Sequence, residues 1–322
     1  MDSVPEGVPT LPSLMDVWDA TRMRLLVELD RGSTLSMAAK TVGISQPSAS
    51  EHLRLLSTAA GEPVAERNGR SLTLTPGGRI LARVASQALS NLSAGESALA
   101  ARAGLRTGTL DIGASSVPGT YILPHVVSDF VQRCPDVTVR LSVGPSDAVI
   151  DWLLDGRITL AITCSEITTP GLRVETVGPD EIVGICSPGI LDISSSGHVG
   201  RDQLVGQTLL VQERGSSTRV QAIDLHGAGS GWKSVWELGS VDAVKRAARE
   251  RTGVGFVSIH SIAEERRRGE LVEFRVDGVN WGRRDVRAVA LHGVVTAPAD
   301  HYFKVLLTDA IGGPAAAPSV PG

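Results

Sequence analysis

The chain has 322 residues, 42% hydrophobic and 20% charged, and a formal net charge of -4. This length allows two or three domains with sizeable cores, and the charge alone neither favours nor excludes nucleic acid. No apolar run approaches membrane-spanning length, so we expect no membrane-spanning helix. The three cysteines form no C-x-x-C motif, which favours reduced, buried thiols.

Both ends of the chain have compositions typical of disorder. Residues 1–14 begin M-D-S-V-P-E-G-V-P-T-L-P, which is acidic and proline-rich and lacks the basic and apolar segments of a signal peptide. Residues 313–322 read P-A-A-A-P-S-V-P-G after a glycine and are expected to be a disordered tail. We therefore expect a cytoplasmic protein.

Three short helices are predicted before residue 60. Residues 15–31 carry an apolar stripe of Val17, Leu25, Leu26 and Leu29 at helical spacing and end at Gly32. The small-residue segment S-T-L-S-M-A-A-K-T-V-G forms a second helix that stops at Gly43. A third helix covers 45–57, with Ser45 as N-cap and Pro47 in the first turn, where its missing N–H costs nothing.

A hairpin and a long helix follow. Asn68-Gly69 is a strong two-residue turn signal, and Leu72 and Leu74 alternate with threonines, so the segment R-N-G-R-S-L-T-L-T predicts a two-stranded wing. Thr75-Pro76 then opens a helix that can run to about residue 103. Its apolar seam needs a partner, and a second copy is the simplest one; the seam residues are Leu81, Val84, Ala85, Ala88, Leu92 and Leu99.

Strand and helix patterns alternate from Gly108 onwards. Segments such as T-L-D-I-G-A, V-T-V-R-L-S-V and I-T-L-A-I-T predict strands, and helical patterns lie between them. The alternation restarts at T-L-L-V-Q-E and continues to a last helix over 299–311. The fold class is therefore α/β, with two lobes and a cleft between them.

Two paired helices with a winged hairpin form a device that reads DNA, in which the second helix of the pair enters the major groove. Residues 31–83 hold seven basic and three acidic side chains, a local charge of +4 in an acidic chain. The reading helix offers Gln for adenine, Ser for either base type or phosphate, and Arg for guanine or phosphate. The predicted DNA-binding residues are Ser45, Gln46, Pro47, Ser48, Ser50, Glu51 and Arg54, with Arg67 and Arg70 on the wing.

Glu51 has two open interpretations among these polar groups. It could accept a hydrogen bond from a cytosine amino group. Alternatively, it could favour the N-terminal half of the helix through the helix dipole.

The segments G-S-T-L-S-M-A-A-K-T-V-G-I-S-Q-P-S-A-S-E-H-L-R-L-L and G-E-P-V-A-E-R-N-G-R-S-L-T-L-T-P-G-G resemble the winged helix-turn-helix of the LysR-type transcriptional regulators. G-T-L-D-I-G-A-S, Y-I-L-P, E-R-G-S-S-T-R and E-L-G-S-V-D-A-V-K extend the resemblance over residues 15 to 311. It implies a DNA-binding domain over 15–75, a dimerising linker helix over 76–104, and a periplasmic-binding-protein-like effector domain over 105–312. It also implies dimers or tetramers and a small effector between the lobes.

Three positions depart from the family pattern. Glu51 stands where the family often has a basic or polar residue, Val64-Ala65 replaces Leu-Phe, and Leu56-Ser57 replaces Leu-Glu. Losing the aromatic side chain shrinks a small core, so we expect a looser wing.

The effector site can also be predicted from the strand ends. Ligands of open α/β sheets bind beyond the carboxyl ends of strands, and helix N-termini with hydroxyl groups favour anions. We therefore expect a carboxylate, sulfate or phosphate effector, with plain helix capping as the alternative. The predicted residues are Ser115, Ser116, Gly119, Thr120, Ser216, Ser217 and Thr218.

No catalytic or metal-binding motif stands out. The seven histidines are scattered, no H-E-x-x-H occurs, and S-V-P-G-T is not a nucleophile elbow. We expect neither an enzyme nor a cofactor or metal. The competing hypothesis is a solute-binding or enzymatic α/β module with a helical head, which the missing signal peptide and missing catalytic set disfavour.

Overall fold

The structure is a computed structural model that describes residues 13–68, 71–102, 108–212, 216, 218–219, 231–279 and 282–312. The chain folds into two compact units, Met1–Glu96 with Leu154–Arg157, and Ser97–Leu153 with Ile158–Gly322. Of the predicted tails, residues 1–12 and 313–322 lie outside the described residues. Ser13 and Leu14 were predicted to belong to the N-terminal tail, but Ser13 caps the first helix, which begins at Leu14.

The first unit is a helix-turn-helix with a wing. Its helices begin and end as follows: α1 (Leu14–Val17), α2 (Ala20–Asp30), α3 (Leu35–Val42), α4 (Gln46–Ala60) and the start of α5 (Pro76–Arg102). The wing strands β1 (Ala65–Asn68) and β2 (Ser71–Leu74) pair antiparallel. One apolar cluster joins the helices and wing, and Leu25, Leu26 and Leu56 at its centre are fully buried.

The predicted helix over 15–31 is in fact two helices. Trp18 and Asp19 are extended, and the Asp19 carboxylate accepts the Arg22 N–H at 2.8 Å, so it caps a new helix. The aspartate is an N-cap signal that the apolar periodicity concealed. Four predicted stripe residues are nevertheless buried, namely Val17, Leu25, Leu26 and Leu29.

Backbone and hydroxyl groups attach the wing to α4 and α5. Ser57 Oγ accepts the Val64 N–H at 3.1 Å, and the Val64 carbonyl accepts the Thr75 N–H at 3.1 Å. Thr75 caps α5 as predicted, since its Oγ1 accepts the Gly78 N–H at 3.0 Å. A side chain at Gly78 would lie 1.9 Å from the Val64 carbonyl oxygen, so only glycine fits there. Ser57, where the family has Glu, thus fixes the base of the wing.

The predicted apolar seam of α5 lies on one side of the helix, and its residues differ in burial. Leu81 packs on the first unit's core, and Ala85 is fully buried. Val84, Leu92 and Leu99 are instead 49%, 60% and 71% exposed. Within the part of the chain that the structure describes, these three apolar side chains of α5 are exposed to solvent.

The second unit is built on one continuous sheet. Its strands are β3 (Gly108–Ser115), β4 (Val137–Gly144), β5 (Leu160–Thr163), β6 (Leu172–Cys186), β7 (His198–Val199), β8 (Thr208–Val211), β9 (Ser234–Glu237), β10 (Val254–Ser258), β11 (Val272–Val276) and β12 (Arg283–Leu291). Its helices are α6 (Leu123–Arg133), α7 (Ser146–Leu154), α8 (Val241–Arg249), α9 (Ala263–Arg268) and α10 (Pro298–Ile311), with a π-helical turn at Pro118–Ile122.

The sheet has two parallel halves joined by antiparallel strands. The strand order is β4-β3-β5-β12-β6-β10-β8-β9, and β11 pairs with β6 and β7. β3 runs parallel to β4 and β5, whereas β8 runs parallel to β9 and β10. Separate aromatic cores, Phe130 with Phe303 and Phe256 with Phe274, mark the two lobes, so the predicted two-lobed α/β architecture is confirmed.

The sequence did not predict β6, which pairs with strands of both lobes. β6 pairs with β12 over Leu172–Glu181 and with β10 over Ile182–Ile185. The first half of β6 is mostly exposed, and the turn-favouring residues Gly178 and Pro179 lie within the strand. Its sequence therefore shows neither regular alternation nor a continuous apolar run.

Asp300 gives the second unit a pH-dependent stability. Burial raises the pKa of Asp300 from 3.8 to about 6, and Thr159 Oγ1 donates to its carboxylate at 2.9 Å. Because the raised pKa means that the fold disfavours the ionised form, this group's contribution to stability falls as pH rises from about 4 to about 6. The shift corresponds to roughly 3 kcal/mol at most.

We therefore expect Asp300→Asn to gain stability over the wild type as pH increases from about 4 to about 7. Urea unfolding of both proteins at several pH values measures this difference. A stability difference that stays constant with pH would contradict the assignment.

Candidate functional site

The N-terminus of α4 presents polar side chains to solvent. Ser45 caps the helix, since its Oγ accepts the Ser48 N–H at 3.2 Å, and Pro47 lies in the first turn as predicted. Gln46, Ser48 and Ser50 are exposed, whereas the opposite side of the helix buries Ala49, Leu53 and Leu56 in the domain core. The arrangement suits a helix that presents its polar face to a major groove.

Glu51 and Arg54 form an ion pair on this polar face. Arg54 Nε donates to Glu51 Oε2 at 2.8 Å, and Arg54 Nη2 donates to Oε1 at 2.6 Å. This hydrogen-bonded partner lowers the pKa of Glu51 and raises the pKa of Arg54, so both groups are charged at neutral pH. The two predicted DNA-binding residues therefore act as one unit.

Of the two wing arginines, the structure describes one. Arg67 lies on β1 and is exposed, opposite Leu72 in the strand pairing. Arg70, the second predicted wing residue, lies outside the described residues.

In the second unit, a cavity of about 860 Å³ opens between the lobes. It lies at the carboxyl ends of β5 and β10, where Cys164 to Glu166 and Ile259 to His260 follow the strands, and β6 and β12 form its floor. This is the position at which open α/β sheets bind ligands. The remaining wall residues are Pro179, Asp180, Glu181, Arg283, Arg284, Asp285, Arg287 and Ile311.

A buried ion pair connects the strands of the cavity floor. Arg284 Nε on β12 lies 2.7 Å from Asp180 Oδ2 on β6, and the two side chains are 6% and 0% exposed. Ser258 Oγ at the end of β10 donates to Asp180 Oδ1 at 2.6 Å. Arg284 Nη1 donates to Thr218 Oγ1 at 3.3 Å. We call these four residues the Asp180 cluster.

Arg287 is a cavity cation whose carboxylate partner is about half exposed. Its Nη1 donates to the Ser165 carbonyl at 3.2 Å, and its Nη2 lies 3.2 Å from Asp285 Oδ2. Arg287 is 18% exposed and Asp285 is 47% exposed. An anion that enters the cavity could therefore replace the Asp285 carboxylate as the partner of Arg287. The displaced carboxylate, which is about half exposed, would then be solvated by water.

Cys164 and neighbouring hydroxyl groups complete the wall. Burial raises the pKa of Cys164 to about 12, so its thiol is protonated at neutral pH and a poor nucleophile. Ser165 Oγ donates to Ser146 Oγ at 2.9 Å, and the Thr163 hydroxyl reaches the same oxygen at 3.3 Å. The wall thus offers hydrogen bonds but no reactive thiolate at Cys164.

None of the predicted effector residues that the structure describes lines this cavity. Thr218 connects to it through Arg284, and buried Ser115 ends β3 next to Thr163 of β5, since Ala114 pairs with Ile162. Ser116 follows Ser115 and is half-buried, and Ser216 donates instead to Gln212 Oε1 at 3.2 Å.

Gly119, Thr120 and Ser217 are the other predicted effector residues. A side chain at buried Gly119 would lie 2.6 Å from Val143 Cγ2, so this glycine permits close packing of the π-turn on β4. Thr120 is exposed, and Ser217 lies outside the described residues.

The residues that line the cavity were not among the effector residues predicted from the sequence. The strand-end rule, applied to β5 and β10 as it was to β3 and β8, would have pointed to Ser165 and His260. Nothing in the sequence connects Asp180 with Arg284, because they are 104 residues apart.

Within the described residues, no group of three or more His, Cys, Asp or Glu side chains could hold a metal ion. Among these residues there is also no helix long and apolar enough to cross a membrane.

Comparisons with known proteins agree with this geometry. Residues 20–79 match the model of the bacterial regulatory helix-turn-helix protein, lysR family, and residues 103–310 match the LysR substrate binding domain. A "Probable RuBisCO transcriptional regulator" of Porphyra purpurea is 31% identical over 76% of this chain and 79% of its own length.

Two solved structures share the fold. A full-length OxyR variant from Pseudomonas aeruginosa has a TM-score of 0.73 at 17% identity, over 91% of this chain and 94% of its own. The CcmR regulatory domain of Synechocystis, in complex with 2-PG, has a TM-score of 0.57 at 20% identity, over 64% and 99%. With its helix-turn-helix, its α/β sheet and its substrate-binding domain, the chain belongs to the LysR family of DNA-binding transcriptional regulators.

Proposed function

We propose that this protein is an oligomeric regulator whose binding to double-stranded DNA is controlled by a small anionic effector in the cleft between the lobes. The observation that carries the proposal is the 860 Å³ cavity at facing strand ends of a domain that matches the LysR substrate-binding model. Closure of the lobes on the effector would select one arrangement of the reading heads.

The cavity chemistry supports an anion that binds Arg287. The carboxylates Asp180, Glu181 and Asp285 already pair with Arg284, Arg275 and Arg287. The carboxylate of the last pair is the most exposed of the three, at 47%, so we expect it to give way to an anion most easily. Serine hydroxyls and a guanidinium fork are suitable donors for carboxylate or phosphate oxygens. The CcmR regulatory domain, which shares the fold, is in complex with 2-PG.

Calorimetry on the full-length protein tests the effector class. The probes are acidic metabolites including 2-PG, with L-arginine as a cationic control. We expect an acid to bind, Arg287→Ala to abolish its binding, and Asp285→Asn to strengthen it, because the competing carboxylate is removed.

Ser116→Ala and Thr218→Ala distinguish a wider anion site from plain helix capping. Weaker binding in these variants supports the wider site. Binding of arginine but none of the acids would contradict the anionic proposal, and unchanged binding in Arg287→Ala would contradict the placement of the site.

The exposed face of α5 supports self-association. Val84, Leu92 and Leu99 recur at helical spacing and are exposed among the described residues, and a second copy offers the same face. We expect Leu92→Glu to shift the protein from oligomer to monomer in light scattering after size exclusion. Ser93→Glu adds the same charge at an exposed polar position and should leave the oligomer intact. An unchanged mass for Leu92→Glu would exclude this face.

A further inference from the structure

Glu51 places a negative charge near the centre of the face that should meet DNA. At about 3.6 residues per turn, Glu51 and Arg54 lie on the side of α4 opposite the buried residues Ala49, Leu53 and Leu56. DNA presents closely spaced phosphates, so a carboxylate here should weaken binding by charge repulsion. Its presence on this face therefore calls for a role that offsets the repulsion.

The structure disfavours both simple explanations of this carboxylate. Glu51 is the sixth residue of α4, beyond the first turn in which the helix dipole acts. Each of its oxygens already accepts a hydrogen bond from Arg54, which makes direct acceptance from cytosine less favourable. The Arg54 and Glu51 side chains are 65% and 52% exposed, and an exposed ion pair of this kind adds little to fold stability.

The contact geometry leaves a defined edge of the Arg54 guanidinium free of Glu51. Glu51 occupies the Nε–H and one Nη2–H, which form the side edge of the guanidinium fork. The Nη1 protons and the second Nη2 proton remain. One proton from each terminal nitrogen forms the parallel pair that can donate to O6 and N7 of guanine.

We infer that Glu51 is a specificity-determining residue that positions Arg54 to read a guanine. The carboxylate limits the rotamers of the long arginine side chain before DNA arrives. It also makes the pair neutral overall, so Arg54 gains little from a phosphate and retains its preference for a base edge. This inference rests on the proposed DNA-binding function of the same helix.

Selection from a randomised duplex DNA pool tests the inference with full-length wild type, Glu51→Gln, Arg54→Lys and Glu62→Gln. Glu62 is exposed after the end of α4, so its variant controls for the loss of one negative charge. We expect wild type to select a guanine at one position by about fivefold or more. Arg54→Lys should weaken that preference, because lysine lacks the rigid pair of parallel donors. Glu51→Gln should lose most of it at the same position, and Glu62→Gln should keep it.

Other outcomes would overturn the inference. A uniform gain in affinity for Glu51→Gln with guanine preference intact means that the carboxylate only repels phosphate. A change at a position that Arg54→Lys leaves unaltered means that Glu51 contacts a base directly. Failure of the wild type to enrich any sequence overturns DNA binding itself, and the inference with it.

Discussion

Asp180→Ala is expected to lower the free energy of unfolding of the second unit by about 3–5 kcal/mol. Asp180 is fully buried and holds Arg284 at 2.7 Å and the Ser258 hydroxyl at 2.6 Å. Its removal breaks the buried ion pair with the guanidinium of Arg284, itself 6% exposed, and takes away the acceptor of the Ser258 hydroxyl. The loss should exceed that of any exposed ion pair in the protein.

Urea unfolding measures this effect, with Asp129→Ala as the control. Asp129 and Arg133 form an exposed pair at 2.9 Å, for which we expect a loss of about 1 kcal/mol or less. The double variant of Asp180 and Arg284 to alanine should lose less than the sum of the single changes, because both charges are then gone. Equal losses for Asp180→Ala and Asp129→Ala would contradict the structural role of the Asp180 cluster.

Leu56→Ala is expected to abolish DNA binding and leave the second unit folded. Leu56 is fully buried where α4 meets the core of the first unit. A buried leucine truncated to alanine costs about 2–5 kcal/mol, a large fraction of the stability of so small a domain. Val64 and Ala65, small residues next to this core, leave little packing to compensate.

Fluorescence anisotropy with labelled duplex DNA measures the loss of binding, and thermal unfolding shows which unit is affected. Met15→Ala is the matched control, because Met15 is 81% exposed and its truncation should change neither property. DNA binding by Leu56→Ala at wild-type affinity would mean that the core tolerates the cavity. Loss of binding in both variants would show that the effect is not specific to the core.

Local chemistry explains why the helix-turn-helix was predictable from the sequence. Ser45 and Thr75 are N-cap residues in the structure, and Gly43 and Gly61 end α3 and α4 in the left-handed conformation, with φ of 77° and 73°. Each signal acts within a few residues, so composition and spacing suffice to find it. The break at Asp19 shows the limit, because an apolar stripe can continue across two helices.

The effector cleft was less predictable because distant residues build it. The strand-end rule led to residues after β3 and β8, whereas the cavity lies at the ends of β5 and β10. Its floor includes β6, which has the residue pattern of neither a buried nor an alternating strand. Asp180 and Arg284 come together only when β6 and β12 pair antiparallel. No local pattern encodes that register.

Glu51 illustrates the same limit on the reading helix. The sequence shows an acid three residues before Arg54, but side-chain geometry shows that both carboxylate oxygens contact the guanidinium. The negative charge of Glu51 can then be explained by its effect on Arg54 and not by a direct contact between Glu51 and DNA.

DNA binding by α4 is tested most directly by a gel shift of the full-length protein with duplex DNA from the region upstream of its own gene, across a salt series. We expect a shift that unrelated duplex does not compete away and that weakens linearly in log–log form with salt, as phosphate contacts require. Arg54→Ala should reduce the preference over unrelated duplex. A shift absent at every salt concentration, or one equally competed by any duplex, would contradict a sequence-specific regulator.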